Sequence, residues 1–144
     1  MNQFNNIIKK TPLEFCQRLS QKYKAKIYLK REDLQTVRSF KIRGAFNKIH
    51  KNYQQHSHFV TASAGNHAQG VAYACQKLGL KCHIFVPENT PLQKISRIKY
   101  FGDKQCHLKI TGKNFNEALN NSLQFCHQQQ GIFVHPFDDQ DVIE

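Results

Sequence analysis

Lys41 stands two residues beyond Ser39, where the charged run Lys30-Arg31-Glu32-Asp33 has ended and Ile42-Arg43-Gly44-Ala45 opens a helical pattern. Ser39 is positioned to cap that helix, so Lys41 falls in its first turn. The positive end of a helix dipole disfavours an ammonium there. It favours the neutral amine, the form that condenses with a carbonyl to give an imine. A solvated lysine on a polar helix face is the commoner use of such a position, and position alone does not decide between the two. A second stretch with chemical potential is Thr61-Ala62-Ser63-Ala64-Gly65-Asn66-His67-Ala68-Gln69-Gly70-Val71-Ala72. It leads from an apolar strand pattern through small residues into a helix pattern. Small side chains let backbone amides close on an anion, and the helix start adds positive potential. Asn66 can donate to a ligand oxygen. A capped strand-to-helix turn without a ligand reads the same way. The segment has no G-x-G-x-x-G and no Walker sequence, so it is not a nucleotide-phosphate loop of those kinds.

The elements that must hold these residues alternate along the chain. Lys26 to Lys30, Phe59 to Thr61, Cys82 to Val86, His107 to Ile110 and Gly131 to Val134 read as strands. Helical patterns lie between them. Phe115, Ala118, Leu119, Ser122, Leu123 and Cys126 form one stripe, with Asn114 as its cap and Glu117 at capping-box spacing. Thr90 and Pro91 read as cap and first residue of another helix, whose inner face is Leu92, Ile95 and Ile98. Gly79 and Gly102 sit where helices should stop. The alternation predicts an α/β fold, a mainly parallel sheet with helices on both faces. Ligands in such sheets bind at the carboxyl ends of the strands.

Ser39-Phe40-Lys41-Ile42-Arg43-Gly44-Ala45 and Ala62-Ser63-Ala64-Gly65-Asn66-His67-Ala68-Gln69-Gly70 closely resemble the signatures of threonine dehydratases, pyridoxal-phosphate enzymes of the tryptophan-synthase-β-like fold (fold type II). Thr11-Pro12-Leu13, Pro87-Glu88-Asn89-Thr90-Pro91 and His135-Pro136-Phe137-Asp138-Asp139 extend the resemblance, in matching order, over nearly the whole chain. It implies that Lys41 is the catalytic lysine and carries pyridoxal 5'-phosphate as a Schiff base. It implies that Phe40 lies against the cofactor ring region and that Asn66 hydrogen-bonds the cofactor's phenolic oxygen. Ser63, Ala64, Gly65, Asn66 and His67 would bind the substrate carboxylate, mostly through backbone amides. The implied reaction is β-elimination from L-threonine to 2-oxobutanoate and ammonia, the first step towards isoleucine. L-Serine would give pyruvate by the same route. Arg38 and the His135 to Asp139 segment lean towards threonine. A serine/threonine dehydratase, a serine racemase relative, and an inactive remnant serving as a small binding module remain as alternatives.

The resembling pattern also runs beyond what these 144 residues contain. Its glycine-rich phosphate cradle has no counterpart among seven isolated glycines. Residues 1–144 are therefore expected to be a partial catalytic domain without a regulatory domain. The expected partners are the amino-acid substrate and either further copies of this chain or a complementing C-terminal chain. A formal charge of +11 raises the question of nucleic acid. The basic residues are scattered and carry no stacking or zinc-finger motif, so a solvated basic surface fits better. No apolar run approaches the roughly 18 residues of a membrane span, and the first ten residues hold no secretory core. The sequence reads as soluble and cytoplasmic. The five cysteines make no C-x-x-C pair and are odd in number, which argues against a disulfide framework or a structural zinc site. Cys82-His83 and Cys106-His107 are the only tempting metal-ligand neighbours, and strand alternation should send each pair to opposite faces.

Overall fold

The computed structural model describes residues 7–143. Strands β3 (His58–Ala62), β4 (Lys81–Val86), β5 (Cys106–Ile110) and β6 (Ile132–Phe133) form one parallel sheet in the order β5-β4-β3-β6. Helices α2 (Lys41–Asn52), α3 (Asn66–Leu78), α4 (Leu92–Gly102) and α5 (Phe115–Gln128) make the connections, and the short α6 (Gln140–Ile143) follows β6. Ahead of the sheet lie β1 (Leu13–Phe15), α1 (Gln17–Tyr23) and β2 (Tyr28–Lys30).

The sheet is covered on both faces. Phe59, Ile84, Val86 and Val134 pack with Ile42, Ala45 and Ile49 of α2, Ala68 to Cys75 of α3, and Ile98 and Phe101 of α4. On the opposite face Val60, Ala62 and Phe85 meet Cys126, Leu119 and Phe125 of α5. Alternation along β4 and β5 separates the cysteine-histidine neighbours as expected. Cys82 and Cys106 join the first core, while His83 stacks on His107 and lies tilted against Phe125 of α5. Helix α3 is wedged between α2, α4 and the sheet, so every residue from His67 to Cys75 is buried. Each large aliphatic or aromatic side chain buried this way stabilises the fold by about 1.5–3 kcal/mol.

Several local expectations need correcting. The strand at residues 28–30 does not join the parallel sheet. It pairs antiparallel with β1, Leu13 opposite Lys30 and Phe15 opposite Tyr28, in a separate two-stranded ribbon. β1 was not foreseen, since three residues carry no readable period. Thr90 does not cap α4: its hydroxyl donates to Pro87 O at 2.7 Å, and Pro91 is extended with ψ 139°. The helix therefore begins at Leu92, and this first residue points outward at 79% exposure. The buried face of α4 is Ile95, Ile98, Phe101 and Gly102. Gly102 is not a left-handed stop. The left-handed residue is Asp103, with φ 44°. Gly102 is needed for packing, because a Cβ there would lie 2.2 Å from Cys106 Cβ. Gly79 does end α3 in the left-handed conformation, φ 68°. Asn114 caps α5 by accepting from Glu117 N at 3.0 Å. Of that helix's stripe, Ala118, Ser122 and Cys126 are buried, whereas Phe115 and Leu123 are exposed.

Helix α6 docks on α2 through Gly44. A Cβ on Gly44 would lie 2.1 Å from Val142 O, a backbone atom that cannot swing aside. Gly44→Ala is expected to cost about 1–3 kcal/mol by overpacking. The checks are a lower urea midpoint and faster amide exchange in Gln140–Ile143. An unchanged midpoint would show that α6 does not need this close approach.

Candidate active site

The strand order places a reversal in the sheet. The chain steps outward from β3 to β4 to β5, then returns through α5 to lay β6 on the other side of β3. A crevice opens at such a switch point, at the carboxyl ends of the two strands concerned. Here those ends are Thr61–Ala62 and Phe133–Val134. The three segments singled out in the sequence, residues 39–45, 62–70 and 135–139, all meet around this point.

Lys41 is the first residue of α2. The chain enters this helix through a tight turn: Arg38 is left-handed at φ 61°, a strained conformation for a non-glycine residue, and its N–H donates to Gln35 O at 2.9 Å. Ser39 Oγ then accepts from Lys41 N at 3.2 Å. Helix α3 comes close beneath. A Cβ on Gly70 would sit 3.2 Å from Lys41 C, Lys41 O and Ile42 N, so only a glycine allows this approach without a shift. The Lys41 side chain reaches across the crevice, and its Nζ donates to Pro136 O at 2.5 Å. Among the described residues no carboxylate pairs with it. A cavity of about 360 Å³ opens beside it, lined by Phe40, Lys41, Arg43, Gly44, Phe137, Val142 and Ile143. Phe40 and Phe137 are 58% and 66% exposed, and the Phe40 ring lies 5.4 Å from Lys41 Nζ.

The Ser63 to His67 loop does not line that cavity. Ser63 Oγ accepts from Gly65 N at 3.2 Å, which bends the loop. The first N–H groups of α3, from Asn66 to Ala68, have no acceptor within the helix. Asn66 is exposed at the helix start. A Cβ on Gly65 would meet nothing within 4 Å, and its backbone is extended, φ −115°. The fold itself therefore makes no demand for glycine at this position; a ligand approaching the backbone would. His67 is different. It is 3% exposed, and its Nε2 donates to Val134 O at 2.9 Å. Thr61 Oγ1 donates to the same oxygen at 2.8 Å. Burial, opposed by the Val134 bond and assisted by Lys41 and His135, lowers the His67 pKa from 6.5 to about 4, so the ring is neutral near pH 7. Composition and spacing did not single out Thr61, Val134 or Pro136. No local signal could have joined them, because their contacts link segments 73 and 95 residues apart.

A charged network fixes the approach to α2. Glu32 accepts from Arg43 Nε and Nη2, both at 2.8 Å, and from the Thr11 hydroxyl. The Arg43 bonds lead in lowering its pKa from 4.5 to about 2. On the far side, Lys48 holds Asp139 and Asp141 at 3.1 and 3.0 Å, fastening the segment after Pro136 to α2.

An amine free of carboxylate partners, beside an open cavity and a bare backbone loop at a strand-end crevice, fits a carbonyl-bearing anionic cofactor. Comparison with known proteins points the same way. The family model described as "Pyridoxal-phosphate dependent enzyme" matches residues 5–144. L-Threonine dehydratase biosynthetic IlvA of Staphylococcus epidermidis is 48% identical over 139 residues, which are 95% of this chain and 33% of that protein. Its Bacillus subtilis namesake is 45% identical over 140 residues, 96% of this chain and again 33% of the relative. This chain thus spans about a third of the length of the curated relatives it matches. Among solved structures, threonine deaminase isoform 2 from Solanum lycopersicum superposes with a TM-score of 0.87 at 38% identity, over 96% of this chain and 38% of that one. Maize serine racemase gives 0.86 at 27% identity, over 98% and 43%. The helix-covered parallel sheet, the lysine at its switch point and the match from residue 5 to residue 144 lead to one conclusion: the chain belongs to the family of pyridoxal-phosphate dependent enzymes.

Proposed function

We propose that this chain is the lysine-bearing and carboxylate-binding portion of an L-threonine dehydratase, an ammonia-lyase forming 2-oxobutanoate and ammonia. The observation that carries this reading is Lys41 Nζ at the β3/β6 crevice, hydrogen-bonded to the Pro136 carbonyl and without a carboxylate partner among the described residues. The names and 45–48% identity of the curated relatives support it. Lys41 would hold the cofactor covalently and, once released, take the substrate's Cα proton on Nζ. Bound pyridoxal phosphate supplies the electron sink that such a proton removal requires. Phe40 would face the cofactor ring, and Asn66 would donate to its phenolic oxygen. The amides of Ser63 to His67 would take the substrate carboxylate.

The remaining parts of the site would come from the region equivalent to the other two-thirds of the relatives. The β1–β2 ribbon supports that reading. Both its strands are exposed throughout, with Leu13 at 64%, and a two-stranded ribbon alone is marginal in water. A cytoplasmic site of action would suit the biosynthetic enzymes this chain resembles; no helix among the described residues is long and apolar enough to cross a membrane. The test is 2-oxobutanoate release from L-threonine with added pyridoxal phosphate. The chain is assayed alone and mixed with the C-terminal two-thirds of the Bacillus subtilis relative. Turnover is expected in the mixture. A mixture that associates yet converts neither L-threonine nor L-serine overturns the proposal. Pyruvate from L-serine without 2-oxobutanoate would favour the serine enzymes, which the maize serine racemase match keeps in view.

A further inference from the structure

We propose that Thr61 and His67 are positioning residues for Lys41, acting together through Val134 O to place the Pro136 carbonyl that holds the lysine Nζ. The inference deepens the reading of Lys41 as the cofactor lysine and rests on it. Strand β6 is only two residues long, and its ladder ends where Val134 N donates to Val60 O at 2.8 Å. That bond closes the sheet. The Val134 carbonyl lies beyond it, yet it receives two further donors, Thr61 Oγ1 at 2.8 Å and His67 Nε2 at 2.9 Å. A carbonyl oxygen has two lone pairs, so this one is saturated. Thr61 is fully buried and His67 nearly so. Both buried donors depend on this one acceptor, so a shift of Val134 O would leave a buried polar group unpaired, which ties the carbonyl to its place.

Two residues further on, Pro136 O accepts from Lys41 Nζ. Little slack separates the two carbonyls. Proline fixes its own φ, and the His135 ring folds back so that Nδ1 accepts from Phe137 N and Asp138 N at 3.3 and 2.8 Å. A shift of Val134 O is therefore passed on to Pro136 O. The proton on His67 Nε2 leaves Nδ1 as a buried lone pair with no donor among the described residues. A neutral ring in this tautomer grips the strand end without setting a positive charge beside Lys41. The sequence resemblance placed His67 in the substrate-binding loop, mostly through its backbone amide; its ring is buried in the fold and bonded to Val134 O.

The test uses the cofactor-free chain and reads the reactivity of Lys41 itself. Reductive methylation at fixed pH is followed by peptide mass spectrometry, with exposed Lys94 as internal reference. Thr61→Val keeps the shape and removes the donor, whereas Thr61→Ser keeps the hydroxyl. Thr61→Val is expected to raise the Lys41 rate relative to Lys94 by about five-fold, the worth of one ordinary hydrogen bond. Thr61→Ser should match the wild type. A purely structural role would lower the unfolding midpoint of Thr61→Val and leave the Lys41-to-Lys94 ratio unchanged, and that result overturns the proposal. Should Thr61→Val be too unstable to isolate, His67→Phe removes the other donor and is judged by the same ratio. Borohydride trapping of pyridoxal phosphate on the wild type is run in parallel. Its failure to mark Lys41 would remove the cofactor reading while leaving the methylation comparison to stand or fall alone.

Discussion

Lys41→Ala is expected to end covalent capture of pyridoxal phosphate at this site. In the complemented enzyme it should lower threonine turnover by about a thousand-fold or more. Borohydride reduction followed by peptide mapping reads the first effect, and it must be mapped because the chain has many other lysines. Lys41→Arg should lose as much, since guanidinium keeps the charge and cannot condense with a carbonyl. Neither change should disturb the fold greatly. Lys41 Nζ makes one hydrogen bond, to Pro136 O, and no ion pair among the described residues. The stability cost should thus stay within about 0.5–1.5 kcal/mol. A reduced adduct that persists at position 41's peptide in Lys41→Ala, or unchanged turnover, would remove the assignment.

Acidification is the second large effect. His67 is held neutral by burial, its pKa lowered from 6.5 to about 4. His83, desolvated and flanked by His107, His58, Lys109 and Lys81, is lowered in the same way to about 4. The folded-state values lie below the unfolded ones, so between them the unfolded chain binds more protons and folding weakens as pH falls. The contribution is fully present above about pH 6.5 and is lost progressively towards about pH 4. For His67 alone this amounts to about 3 kcal/mol, of which about 2 kcal/mol is already gone at pH 5. That is a large share of the roughly 5–15 kcal/mol that keeps a domain folded. Glu32 acts in a separate window. Its pKa is lowered to about 2, so its pairing with Arg43 weakens only below about pH 4.5. A fall in the urea midpoint between pH 7 and pH 5 therefore reports the histidines. His67→Asn should flatten that part of the profile, and equal midpoints at the two pH values would refute the account.

Sequence and structure agree where period and cap chemistry are strong. The core strands β3, β4 and β5 and the capped helix α5 could be placed to within about two residues of their ends. The parallel sheet with helices on both faces followed from their alternation. The sequence was silent where few residues are involved or where side-chain bonds compete with caps. Leu13–Phe15 is too short for a period. Thr90 had a cap's position, but its hydroxyl was drawn to Pro87 O. Leu92 fitted the helical stripe but fell at the very first residue, beyond the reach of the core. Within the site, Lys41 and the Ser63 to His67 loop were legible as two local patterns. Their electrostatic logic left each ambiguous until the resemblance joined them. That His67 turns inward, and that Thr61 and Pro136 share in holding the lysine, depends on a strand laid down much later in the chain. No local pattern carries that information.

That late strand also sets when the site can exist. Lys41 and Pro136 are 95 residues apart in sequence, and Thr61 and Val134 are 73 apart. As the chain leaves the ribosome, β3, α3, β4 and α4 can pair and pack in order, each beside the element just made. The lysine has to wait until β6 emerges and inserts beside β3. Contacts of such long range close slowly. During that interval one edge of β3 stands open to any other strand. The lysine thus meets its acceptor only after Pro136 has been made and β6 has docked, so its placement is among the later features this portion of the fold acquires.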